Sequence, residues 1–194
     1  MEWTDKDRAA LLSFKNTIDC DDIKIKESIK KILLNNRFIV HVLGNEELES
    51  EDAEPEDYFG VNILPYYMIP NTVTNVKVFL CYEVAYTTVS QRNSSFKELE
   101  IVFHILCYKD KILDKETGVA RHDMLAALLI DQFNFTNYMG NKIELVSDSA
   151  GTMDNDYCTR TLTFQQITDN NLVKSKIRNV NGDIEISPRL SNKL

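Results

Sequence analysis

The stretch VKVFLCYEVAY, residues 76–86, followed by LEIVFHILC, residues 99–107, decides the fold. Val76, Val78, Leu80, Tyr82, Val84 and Tyr86 alternate with their neighbours, and so do Leu99, Ile101, Phe103, Ile105 and Cys107. A period of two is the strand signature, because successive side chains point to opposite faces. Working outward, residues 119–134 carry Leu125, Leu128 and Leu129 on one helical face, and strand-like runs follow at 142–147 and 156–167. The order is β-β-α-β-β, which predicts an α+β fold: a mostly antiparallel sheet flanked by helices. Near the strand centres Phe79, Cys81 and Ala85 oppose Leu80, Tyr82 and Val84, so both faces are expected to be covered.

The N-terminal part reads as a two-helix segment. Over 4–18, Thr4 or Asp5 caps, and Leu11, Leu12, Phe14 and Ile18 form an apolar stripe. A second helix over 22–35 places Ile25, Ile29, Ile32 and Leu33 opposite Lys24, Lys26, Lys30 and Lys31. Phe38, Val40 and Val42 alternate with Ile39 and His41, which predicts a short strand over 37–43 ended by Gly44. Pro65 and Pro70 confine 59–71 to an edge or connector, with Ile63, Leu64, Tyr66 and Met68 tucked on the sheet. The polar QRNSSFK joins the central strands, and DSAGTMDND, 148–156, reads as a loop. Arg160 is expected toward solvent. The expected core is Leu80, Tyr82, Val84, Ile101, Phe103, Ile105, Leu125, Leu128, Leu129, Leu145, Leu162 and Phe164.

The 194 residues suit one domain with appendages: helices and a short strand over 1–44, an acidic loop over 45–58, an α+β core over 59–167, and a tail over 168–194 that orders on docking. Net charge is −8 and strongly local. Glu46, Glu47, Glu49, Glu51, Asp52, Glu54, Glu56 and Asp57 supply eight carboxylates with no base among them, which equals the whole net charge. Like charges repel, so the block reads as an extended, solvated loop facing a partner or a lumen. The balance argues against adhesive nucleic-acid binding, which wants a basic face. No apolar run approaches the length needed to span a bilayer, the N-terminus has no apolar leader-like region, and the cysteines form no C-x-x-C pair, so a reduced, cytosolic setting without membrane is expected.

Chemistry-bearing patterns are sparse. His104 and Cys107 are three apart on a strand and face opposite ways, which makes them poor catalytic partners. Cys81, His104 and Cys107 give no convergent zinc spacing. Asp148, Asp154 and Asp156 lack the order of a calcium loop. Glu83, Glu98 and Glu100 with Lys97 are the nearest approach to a nuclease carboxylate set. Glycine-rich phosphate cradles are absent. No catalytic residue, cofactor or metal is therefore expected.

The stretch IVFHILCYKDKILDKETGVARHDMLAALLIDQFN, with its strand, charged turn and a helix opened by Arg121 with Asp123, is followed by KIELVSD and YCTRTLTFQ. In this order of elements, over 74–167, the chain resembles tailed-phage neck proteins, the tail-terminator and head–tail joining group. The resemblance implies a structural virion protein assembled in the host cytoplasm. It would form a homo-hexameric or dodecameric ring that meets neighbouring neck or tail-tube proteins and passes DNA without specific binding. Residues 1–72 lie outside the resemblance. The rival readings are a phage-encoded metal-dependent nuclease built on Glu83, Glu98 and Glu100, and a non-enzymatic protein–protein adaptor.

Overall fold

The computed structural model describes residues 4–13, 21–45, 48, 53–68, 78–87, 96–153 and 156–169. The tail, most of the acidic block, the loop between the central strands and the outer parts of the first long strand run lie outside these residues.

The architecture is α+β. Five strands, β1 (Ile63–Leu64), β2 (Val78–Thr87), β3 (Phe96–Tyr108), β4 (Glu144–Met153) and β5 (Tyr157–Asp169), form one sheet in the order β1-β2-β3-β5-β4. Every pairing is antiparallel except the short parallel β1–β2 edge. Helices α1 (Asp5–Ser13), α2 (Asp21–Asn35), α3 (Arg37–Leu43) and α4 (Arg121–Phe133) complete it. The sequence pattern places β3, β5, α2 and α4 close to these bounds.

One sheet face is covered by α2, α3 and α4. Their apolar stripes meet Leu80 and Tyr82 of β2, Ile101, Phe103 and Ile105 of β3, and Leu162 and Phe164 of β5. All the residues expected in the core belong to this cluster, with Val84, Leu128 and Leu145 at its margin. Phe103 is the hub: its ring lies 5.0 Å from Phe133 and meets Phe164 edge-on at 5.8 Å.

Four expectations are corrected. Residues 37–43 are helix α3, where a strand was expected. The Asn36 Oδ1 accepts from the N–H of Phe38 and Ile39, which caps the helix, and Gly44 closes it in the left-handed region at φ 50°. Ile39, Val42 and Leu43 are buried together at helical spacing. The segment 148–153 is strand, since β4 runs to Met153 in register with Tyr157. Arg160 is turned to the helix side and half-buried. It pairs with Asp123 of α4 and, at 2.7–2.8 Å, with Asp148. Ile63 and Leu64 are buried, whereas Tyr66 and Met68 are exposed, because the chain after Pro65 leaves the sheet plane. Of the stripe expected on α1, Leu12 is 59% exposed; the Leu11 side chain, Phe14 and Ile18 lie outside the described residues.

Buried polar groups tie the connections. Asn45 donates to Asn62 Oδ1 at 2.8 Å, and Asn62 donates to Val78 O at 2.9 Å, which joins the end of α3 to β1 and β2. In the turn before α4, Asp114 accepts from the Thr117 hydroxyl and N–H and from Arg121. Such closed networks fix connections that apolar packing leaves free.

Candidate functional site: a bare sheet face and two open edges

The sheet face turned away from the helices has a small apolar cluster at one end: Leu64, Phe79, Cys81, Leu106 and Tyr157. Burial pushes the Cys81 thiol up to about 11, so it stays protonated. Cys107, on the opposite face, is pushed up to about 12 by burial. The expected separation of His104 from Cys107 is thus observed.

Beyond that cluster the face becomes hydroxyl- and carboxylate-rich. Strand alternation and register set Glu83, Glu98, Glu100, Ser147, Ser149, Thr159, Thr161, Thr163 and Gln165 on it, with Phe96, Val102 and Ile167 among them. Among the described residues, no lysine or arginine occupies a strand position on this face. His104 is the one histidine at such a position; Tyr67 packs on its ring at 4.4 Å. Its Nδ1 lies 3.3 Å from Thr161 Oγ1 and its Nε2 3.5 Å from Glu83. Burial holds its pKa below the usual histidine value, against the pull of Glu83. Gln165 donates to Glu100 at 3.1 Å.

The nuclease-type set does not converge. Glu83, Glu98 and Glu100 share the face, but no group of three or more metal-ligating side chains comes together among the described residues. Lys97 faces the helices, over the Tyr86 ring at 3.6 Å. Asp148 and Asp156 are drawn apart, the first to Arg160 and the second to Lys109 at 2.6 Å; Asp154 lies outside the described residues.

Of the acidic block, Glu54, Glu56 and Asp57 are exposed on a 3-10 turn (Pro55–Tyr58) anchored by buried Tyr58. Glu46, Glu47, Glu49, Glu51 and Asp52 lie outside the described residues. The turn packs against α2, on the helix side. There a groove of about 760 Å³ is lined by Lys26, Lys30 and Lys31 and by Glu27 and Glu56, with Phe59 and Tyr82. Lys26 Nζ donates to Pro65 O at 2.8 Å, and Lys30 lies over the Phe59 ring at 4.0 Å.

β1 and β4 stand at the two ends of the strand order, and β1 pairs with Leu80 and Cys81 of β2. β4 is the other edge strand, irregular only between Leu145 and Ser147. The strand-like run expected over 142–147 is the start of β4; its extension over 148–153 was not legible because Ser, Gly, Ala and Asp there carry weak strand propensity. The regular alternation of its partner, 157–167, was the signal that a strand needed a neighbour there.

Residues 26–166 match the YomW family model, from inside α2 to within β5. The chain belongs to the YomW family. YomW is a phage-type domain, and its matched span takes in α3, α4, β1 to β4 and most of β5. No curated protein matches the chain.

Proposed function

We propose that this YomW-family chain is a structural subunit of a phage particle, acting by assembly and without catalysis as a ring at the head–tail interface, a tail terminator or connector. The observation that carries the reading is the bare sheet face. One side of the sheet is covered by helices, and the other offers hydroxyls and carboxylates, with no lysine or arginine at a strand position on it among the described residues. Phosphate is repelled by such a surface, so duplex DNA slides past it with few counterion-releasing contacts. A wall of this kind suits a channel that DNA crosses and suits poorly a protein that must hold DNA.

In this reading the bare face lines the lumen. The acidic block, whose described part sits on the helix side, faces sister subunits or neighbouring neck or tail-tube proteins. The protein belongs in the virion, after assembly in the host cytoplasm. The phage-type family supports the setting, and the order of elements from β2 to β5 supports the neck assignment.

Native mass spectrometry across a concentration series, with negative-stain imaging of the same samples, tests the proposal. A closed ring of six or twelve copies is the expected result, alone or on addition of the phage's tube or connector proteins. A monomer at high concentration under all these conditions overturns it.

A further inference from the structure

We infer that Cys107 and Cys158 are a redox-sensitive pair, which closes to a disulfide between β3 and β5 when the folded chain meets a low-molecular-weight disulfide. This chemistry is independent of the ring reading.

Register carries it. Cys107 of β3 stands directly opposite Cys158 of β5 in the antiparallel ladder, and the pairs on either side, Leu106 with Thr159 and Tyr108 with Tyr157, continue without a shift. Residues opposite each other in such a ladder point to the same face, with Cα atoms about 4.5–5.5 Å apart. A disulfide takes Cα separations of about 4.4–6.8 Å, so the two strands already stand at bridging distance. The Cβ atoms of an opposite pair lie about 4.5–5.5 Å apart and those of a disulfide about 3.5–4.5 Å, so closure asks for an approach of about 1 Å. The pair sits where that is easiest. Cys107 is next to the last residue of β3, and Cys158 is next to the first of β5.

Exposure orders the two thiols. Cys107 is fully buried in the helix-side core, whereas Cys158 is half-buried, so a dissolved oxidant reaches Cys158 first. Burial pushes the Cys107 thiol up, the Arg121 guanidinium pulls it down, and the charge of Cys158 pushes it up again, as it must where two sulfurs face each other. Cys81 cannot compete, because it lies on the other face of the sheet, opposite His104. Cys20 lies outside the described residues.

The step is thiol–disulfide exchange. The Cys158 thiolate attacks one sulfur of the small disulfide, forms a mixed disulfide and expels one thiolate. The Cys107 sulfur then gives up its proton and attacks the Cys158 sulfur, which expels the second thiolate. Two protein thiols are oxidised, one small disulfide is reduced, and the two protons end on the released thiols. The second attack is slow at neutral pH and quickens as pH rises, because the buried Cys107 thiol ionises late. The bridge closes residues 107–158 into a loop that takes in α4 and β4. It therefore restrains the unfolded chain and stabilises the folded one. A reducing compartment keeps the pair open, and an oxidising one closes it.

The test uses the full chain carrying Cys20→Ser, incubated in its folded state with oxidised glutathione at mildly alkaline pH. Remaining thiols are alkylated under denaturing conditions, and tryptic peptides are read by mass spectrometry. The expected result is one peptide pair joining Cys107 to Cys158 with Cys81 alkylated, and a melting midpoint raised by roughly 5 °C or more and returned by dithiothreitol. Cys158→Ser in the same background should leave Cys107 open to alkylation and the midpoint unmoved by glutathione. A glutathione adduct that persists on Cys158 with Cys107 free would overturn the inference, as would a link to Cys81, chain-to-chain dimers, or a bridge that forms only after unfolding in urea. A midpoint that falls on closure counts against a stabilising bridge.

Discussion

Gly44 and Arg121 occupy each other's space. The Arg121 guanidinium lies where a Cβ on residue 44 would stand, so any side chain there would overlap its Nη1. From that position Arg121 donates to Val42 O at 3.0 Å and to Asp114 Oδ1 at 3.2 Å, which locks α3 to the start of α4. The glycine is needed twice, for its φ of 50° and for the room it leaves.

Gly44→Ala is expected to lower stability by roughly 2 kcal/mol or more, since the left-handed conformation alone costs an alanine about 1–2 kcal/mol. Urea unfolding measures it. In a double-mutant cycle with Arg121→Ala the two losses should fall short of additive, because each change removes the same junction. Strict additivity would show that the two residues act separately.

Acid should weaken the fold in two steps. The Arg160 guanidinium holds the Asp148 carboxyl below its ordinary value, and the Thr117 hydroxyl and N–H do the same for Asp114. A carboxylate with a depressed folded pKa gives stability that is present above its unfolded value and lost as pH falls through the folded one. His104 adds an earlier step. Its pKa is lowered by burial, so below about pH 6.5 the unfolded chain takes up its proton first and stability falls. Melting midpoints across pH 7 to 3 check this. His104→Gln should flatten the upper part of the profile, and Asp148→Asn the lower part. An unchanged profile in both variants would contradict these assignments.

Phe103 is fully buried and in ring contact with Phe133, Phe164 and Tyr82. Phe103→Ala should cost about 3–5 kcal/mol through lost transfer energy and an unfilled cavity. Phe103 joins β3 to α4, β5 and β2, so the expected readout is a large drop in the urea midpoint rather than a selective change in one element.

The bare face should become adhesive when charged. Thr163→Lys, with Thr159→Lys, adds two cations in the middle of β5 on that face. The parent chain is expected to pass an immobilised duplex-DNA column at about 0.1 M salt, and the variant to be retained and then released as salt rises. Retention of the parent chain would remove the main support for a non-adhesive lumen wall.

The local chemistry of the sequence determined much of this molecule. Alternation over 76–107 set the two central strands, the stripes Ile25–Leu33 and Leu125–Leu129 set α2 and α4, and the resulting core holds every residue expected in it. Helix α3 was written in the sequence but ambiguously, because seven residues satisfy a period of two about as well as one of 3.6. The flanking Asn36 and Gly44, acting as caps, decide it. Tertiary structure alone decided three things. β4 continues from Ser147 to Met153 because β5 offers it a ladder, overriding weak propensity. Arg160 turned inward because α4 brings Asp123 within reach while Asp148 lies across the strand pair. The composition of the sheet face turned from the helices follows from strand order, which sets residues distant in sequence side by side and which periodicity cannot encode.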